Sequence, residues 1–197
     1  MSATNIIILI SIILWLYLLS ILKRGNLGFF YFLVGSVGLF MILITNVNYI
    51  KQPFISTTTY ILGLFGDWSH TFEAFEEKGI FFINNKDTVM SLYLDLECSG
   101  IIEMLVFVSL VLFFPVFNKK QRILNAIKGC CFLYIFNFIR ILLILIVLYF
   151  FGTAFYPLVH SFVGRIVFYI LTIVLYFNVF TRSQIKKQKV GNFNYDN

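Results

Sequence analysis

The sequence predicts an all-α membrane protein: a polytopic bundle of about five transmembrane helices, with an outer-face loop that contains a small β-hairpin. Two observations lead to this fold class. Hydrophobic residues make up 60% of the 197 residues and charged residues only 12%, whereas a soluble domain carries about 25% charged residues. In addition, five apolar runs are each long enough to cross about 30 Å of hydrocarbon.

The five runs are rich in Ile, Leu, Phe and Val and are separated by polar turns. They predict membrane spans at about 5–22, 27–46, 99–117, 123–151 and 161–180. We assign residues 1–181 to a single integral membrane domain and residues 182–197 to a basic cytoplasmic tail. The first run is interpreted as a retained helix, because no basic residue precedes it as one would in a secretory signal.

Basic residues predict the orientation in the membrane. They cluster after the first, third and fifth spans, at Lys23, Arg24, Lys119, Lys120, Arg122, Arg182, Lys186, Lys187 and Lys189. Under the positive-inside rule these turns face the cytoplasm, which places the N-terminus outside and the C-terminus inside a plasma membrane. The net charge of +6 therefore reflects topology, and nucleic acid is not an expected partner.

The outer loop, residues 47–98, divides into two predicted parts. Residues 53–66 are semi-apolar and are expected to lie at the interface or to dip into the bundle. Residues 80–96 read as a β-hairpin, because apolar and polar side chains alternate after the turn-forming segment 84–87.

Cys98 is the first candidate for chemistry. It lies where the predicted strand ends and the third span begins, at the outer face of the membrane. A helix N-terminus at this place would favour the thiolate, which is the nucleophilic form. The competing interpretation is an inert cysteine that packs as a small hydrophobic residue.

Arg140 lies inside the apolar fourth span. Counting from Arg122 at about 1.5 Å per residue places Arg140 roughly 27 Å further along the helix, near the outer leaflet. An intramembrane arginine is costly and is a functional candidate by default, although it could also extend to the outer headgroups. Asn137 lies three residues earlier, on the same face of the helix.

His160 opens the fifth span, again on the outer side, and Gly164 lies four residues later on the same face. A lone histidine at an interface is more often a plain polar residue. Together, however, Cys98, Arg140 and His160 map to one leaflet from three different spans. They would supply a nucleophile, a fixed cation and a general base.

The remaining polar residues of the spans give weaker signals. Glu103 is expected to face the bundle, where it could pair with Arg140 or Arg165, and a purely structural ion pair is the simpler reading. Cys130 and Cys131 are interpreted as packing residues. No C-x-x-C spacing or other metal-ligand pattern occurs, so neither a metal nor a cofactor is expected.

These short motifs occur in an order that resembles the exosortase/archaeosortase family, and in particular its short Gram-positive branch. The matching residues are Cys98-Ser99-Gly100, Asn137 with Arg140, and His160 with Gly164, all within roughly residues 90–170. The resemblance implies a membrane cysteine transpeptidase that acts on exported proteins. Their C-terminal sorting signal would consist of a short motif, a transmembrane helix and a basic cluster.

That resemblance also implies roles for individual residues. Cys98 would be the acylated nucleophile, Arg140 would position or stabilise the scissile carbonyl, and His160 would move protons. The main alternative is a non-catalytic accessory membrane subunit of an envelope polysaccharide or glycolipid export system. A small transporter is disfavoured, because the polar side chains gather at one leaflet and do not line a path across both.

Overall fold

Helices occupy most of the chain, as the apolar runs predict. The computed structural model describes residues 3–85 and 88–187. The helices, numbered in chain order, are α1 (Ala3–Arg24), α2 (Gly28–Thr45), α3 (Asn48–Ser69), α4 (Leu96–Ser99), α5 (Ile101–Phe113), α6 (Lys119–Phe151), α7 (Tyr156–Leu158), α8 (Gly164–Tyr176) and α9 (Arg182–Lys187). Two π-helical segments, Val159–Val163 and Phe177–Thr181, join α7 to α8 and α8 to α9.

Helices lie at all five places where spans were predicted, and three of them are long and apolar enough to cross a membrane. These three are Gly28–Thr45, Lys119–Phe151 and the stretch Tyr156–Ile185. The third predicted span, 99–117, contains only the 13 residues of α5 in helical form, fewer than the roughly 20 that a straight crossing needs. The described residues therefore show three candidate spans, and five are not confirmed.

Two local features shorten α5 relative to the prediction. Gly100 adopts a left-handed backbone with φ of 78° directly before it, which separates α4 from α5. At the other end, Pro115 disfavours helical backbone at Phe114, and α5 ends at Phe113. Both breaks follow from residue types that are visible in the sequence.

The chain forms two compact units. The first contains the residues up to Pro53 together with Ile101–Cys130, and the second contains Phe54–Gly100 and the residues from Cys131 onward. In the first unit, small residues allow close helix packing: Gly35 lies against the ring of Phe113, and Gly38 lies against the ring of Trp15. The Trp15 Nε1 atom also donates a hydrogen bond to the Val34 carbonyl at 3.0 Å.

The second unit contains a three-stranded antiparallel sheet. Its strands are β1 (Phe72–Phe75), β2 (Ile80–Asn85) and β3 (Thr88–Tyr93), in the order β1-β2-β3. The predicted hairpin is confirmed as β2 and β3, paired in register from Ile80 opposite Tyr93 to Asn85 opposite Thr88. Of the predicted turn 84–87, residues 86 and 87 lie outside the described residues.

The outer loop has more regular structure than the sequence predicts. Residues 53–66 lie within the 22-residue helix α3, and strand β1 adds a pairing to the hairpin that was not predicted. The buried core of this unit is formed by α3, the sheet and the later turns of α6, through Ile55, Leu62, Phe81, Leu145 and Leu148. This packing fixes the backbone that leads from β3 into α4.

Candidate active site

Cys98 lies on the four-residue turn α4, directly after the sheet. The Asp95 side chain begins this turn by accepting a hydrogen bond from the Leu96 N–H at 2.6 Å, and left-handed Gly100 ends it. The sequence had suggested that the thiol lies at the N-terminus of a long helix. It lies instead on this four-residue turn. Cys98 is half-buried and packs against the core of the second unit.

His160 meets Cys98 directly. The Cys98 Sγ atom and the His160 Nε2 atom are 3.2 Å apart, a hydrogen-bond distance for sulfur, although the two residues are 62 positions apart in sequence. His160 lies in the π-helical segment Val159–Val163, where the Gly164 N–H donates to the Val159 carbonyl. Such wide helical turns often occur at functional sites, because they change the direction in which side chains project.

Arg140 is buried beside the thiol, with 4% of its surface exposed. Its guanidinium lies within hydrogen-bonding and electrostatic reach of Cys98, and its Cζ atom lies 5.5 Å from the centre of the Phe168 ring. Among the described residues, its Nε atom has no hydrogen-bond partner. A buried cation with an unused donor is a group prepared to bind an additional acceptor.

Asn137 connects α6 to the backbone of Cys98. Its Nδ2 atom donates to the Cys98 carbonyl at 3.1 Å, while its Oδ1 atom is buried and has no partner among the described residues. A Cβ atom at Gly100 would lie 2.9 Å from Asn137 Cγ, so this contact needs glycine for space as well as for its φ. Ser99 is fully buried and donates to the Leu96 carbonyl at 2.7 Å.

The charge state of the thiol follows from these neighbours. Burial raises the pKa of Cys98 above its ordinary value, and the nearby Arg140 guanidinium lowers it by less. Arg165 also lowers this pKa, and Asp95 raises it. Burial therefore disfavours an isolated thiolate, and a general base beside the thiol would offset this during nucleophilic attack.

Gly164 and Glu103, the remaining predicted site residues, are placed as follows. A Cβ atom at Gly164 would lie 3.1 Å from Ile144 Cδ1, so the glycine permits the close approach of α6 that was predicted. Glu103 lies on α5 in the first unit, half-buried, and its Oε2 atom has no hydrogen-bond partner among the described residues. The pairing of Glu103 with Arg140 or Arg165 stays a prediction.

Three further residues belong to the site and were not predicted. Arg165 acts on the thiol electrostatically. The Arg140 guanidinium lies over the ring of Phe168, and the ring of Tyr156 stacks on His160. The spacing of four between Tyr156 and His160 was visible in the sequence as a pair on one helical face. Within residues 3–85 and 88–187, no cluster of three His, Cys, Asp or Glu side chains could hold a metal ion.

A cysteine, a histidine and an arginine in this arrangement offer the types of group that nucleophilic acyl transfer uses. The thiol can attack a carbonyl, the imidazole can accept and return the proton, and the guanidinium can bind the developing oxyanion. No family model, no curated protein and no solved structure matches this chain.

Proposed function

We propose that this chain is a membrane-embedded cysteine protease or transpeptidase that cleaves the C-terminal sorting signal of exported proteins. The observation that carries the proposal is the 3.2 Å contact between Cys98 Sγ and His160 Nε2, beside the buried cation of Arg140. A cysteine that only fills space does not require an imidazole and a guanidinium as neighbours. The resemblance to exosortases supplies the class of substrate.

The first half of the reaction forms a thioester. His160 Nε2 accepts the proton of the Cys98 thiol, and the thiolate attacks the carbonyl carbon of the scissile peptide bond. The carbonyl oxygen becomes an oxyanion, which the Arg140 guanidinium stabilises by charge-assisted hydrogen bonds. His160 then returns its proton to the departing amine as the carbon–nitrogen bond breaks.

The second half releases the product. An amine, a hydroxyl or a water molecule attacks the thioester carbonyl, and His160 takes the proton of that acceptor. The carbon–sulfur bond breaks, and the thiolate of Cys98 is protonated by His160. With water the reaction is proteolysis, and with an amine or hydroxyl acceptor it is transpeptidation or ester formation.

The location of the chemistry follows from the proposed topology. Five spans, with the N-terminus outside and the C-terminus in the cytoplasm, would place Cys98 at the outer face of a plasma membrane. The distribution of basic residues supports this orientation, and membrane lipid would surround the apolar helices. The substrate's own transmembrane helix would bring its cleavage motif to the same depth.

The test compares exported proteins in the native host, with the chromosomal copy deleted and replaced by the wild type or by Cys98→Ala. Mass spectrometry of their C-termini should find proteins that lose a C-terminal apolar helix and basic cluster with the wild type and retain them with Cys98→Ala. Cys131→Ala is the matched control, because this cysteine is exposed on α6 and should leave processing unchanged.

C-termini that are the same in the deletion strain, the Cys98→Ala strain and the wild type would reject the protease proposal. If envelope glycan export then failed with Arg140→Ala while Cys98→Ser remained active, the chain would be an accessory membrane subunit instead.

A further inference from the structure

Of the two ring nitrogens of His160, one forms a hydrogen bond with a described side chain and the other does not. Its Nε2 atom faces the Cys98 thiol, whereas none of the described residues forms a hydrogen bond with its Nδ1 atom. In nucleophile–histidine sites a third group, usually a carboxylate or an amide, orients the ring and stabilises its protonated form. In the described part of this chain, no hydrogen-bond acceptor orients the ring in this way. A different kind of contact therefore has to orient the imidazole.

Tyr156 is the group that contacts the face of the imidazole. The two ring centres lie 5.1 Å apart and their planes differ by 21°, which is an offset-stacked arrangement. Tyr156 is itself partly buried against the core of the second unit. Its ring therefore lies between the imidazole and the packed interior, and it limits the rotation of His160.

Charged and titratable groups approach this imidazole from several elements. Arg140 on α6 and Arg165 on α8 are cations within electrostatic reach of the ring. The group that faces it from α4 is the Cys98 thiol, and Asp95 acts on that thiol as the nearby carboxylate. An aromatic face also attracts a cation, and Tyr156 presents such a face to the His160 ring.

We propose that Tyr156 is the positioning residue of the site: its ring holds the imidazole in line with Cys98 and stabilises the imidazolium that forms when His160 takes the thiol proton. The inference rests on the proposed function, in which His160 is the general base. It goes beyond that function by assigning the third member of the site to an aromatic stack. A stronger stacking contact between Tyr156 and His160 should then give a larger population of the thiolate–imidazolium pair at neutral pH.

The pair can be measured without any substrate. The purified full-length chain in detergent micelles is treated with iodoacetamide at a series of pH values, and the rate of alkylation at Cys98 is followed by peptide mass spectrometry. In the wild type we expect a neutral-pH plateau, produced by the thiolate–imidazolium pair, and a further rise at high pH as the thiol ionises without His160. His160→Gln should lack the plateau.

Tyr156→Leu should lower the plateau by about two- to tenfold, the range that an aromatic contact supports, and should converge with the wild type at high pH. Tyr156→Phe keeps the ring face and should keep the plateau. Phe162→Leu is the matched control, because it removes an exposed aromatic ring from the π-helical segment that contains His160. If Tyr156→Leu does not fold, Tyr156→Met replaces the ring with a side chain of similar reach.

Three results would overturn the inference. The Tyr156→Leu profile could coincide with the wild type at every pH, or it could fall equally at every pH, which would report altered access to the thiol. Alternatively, Tyr156→Phe could lose the plateau as Tyr156→Leu does, which would assign the effect to the hydroxyl. Since iodoacetamide is not a peptide, these outcomes are independent of whether Cys98→Ala abolishes processing in the host.

Discussion

Two arginines on the single helix α6 have opposite surroundings. Arg122, in the first turn, is half-buried, and its Nε atom donates to the Phe117 carbonyl at 3.1 Å. Arg140, five turns later, is 4% exposed, and its Nε atom has no partner among the described residues. Arg122 donates to a carbonyl that lies close to it in the sequence. Arg140 is buried, and its Nε donor has no described partner.

This comparison distinguishes an arginine that marks the orientation of a helix in the membrane from one that is proposed to take part in chemistry. Arg122 belongs to a basic turn, where water and headgroups are available and the charge costs little. Arg140 lies within an apolar helix, where an arginine costs about 3 kcal/mol on insertion scales. The neighbour of this costly charge is the Cys98 thiol.

The largest expected effect is on the rate of substrate cleavage. Arg140→Ala removes the cation that would bind the oxyanion, and should slow processing of the host substrates by about 10²- to 10³-fold. Arg122→Ala should change the rate by less than about twofold, because its Nε atom donates to the Phe117 carbonyl and not to a residue of the candidate site. The rates are compared by pulse labelling at equal amounts of membrane protein.

Equal rates for the two alanine variants would contradict this distinction between the arginines. Arg140→Lys refines it, because lysine keeps the charge but lacks the planar fork that binds an oxygen through two N–H groups. An intermediate rate is expected for Arg140→Lys.

A smaller effect is expected on stability, at the point where the turn of Cys98 meets the later half of α6. Gly100→Ala forces an alanine to a φ of 78° and places its Cβ atom 2.9 Å from Asn137 Cγ, so the protein should lose about 1–3 kcal/mol. Gly28→Ala is the control, because a Cβ atom there meets nothing within 4 Å. Thermal unfolding in micelles measures both variants, and equal melting temperatures would show that the packing against Asn137 is loose.

The smallest effect is a displacement along the pH axis. Arg140 lowers the pKa of the Cys98 thiol, so Arg140→Gln should raise that pKa further and move alkylation of Cys98 to higher pH. Arg122→Gln should leave the profile in place. A shift of the Arg140→Gln profile to lower pH would mean that the guanidinium does not face the thiol.

The parts of the fold that depend on local pattern could be predicted from the sequence. Apolar runs located the helices, and alternating residues located the hairpin β2–β3. Strand β1, with four residues, could not be found in this way, because it is defined by its pairing with β2. The early end of α5 was predictable from Pro115, but the apolar run conceals it.

The candidate site was only partly predictable. Counting residues along the helices placed Cys98, Arg140 and His160 at one depth, but their separation depends on how each helix is rotated about its axis. The π-helical segment sets that rotation for His160, and single-residue patterns do not reveal it. The preference for the thiolate stays a prediction, and the burial that raises the pKa of Cys98 could not be read from the sequence because it arises from tertiary packing.

The proposed function requires a thioester between Cys98 and the substrate. Hydroxylamine can trap this intermediate. Added to host membranes at neutral pH, hydroxylamine attacks a thioester carbonyl, releases the thiolate and leaves a hydroxamate at the new C-terminus of the substrate. Hydroxamate-ended exported proteins are expected with the wild-type chain, and none are expected with Cys98→Ala. Cleaved C-termini that carry only carboxylates, at every hydroxylamine concentration, would contradict the proposed thioester.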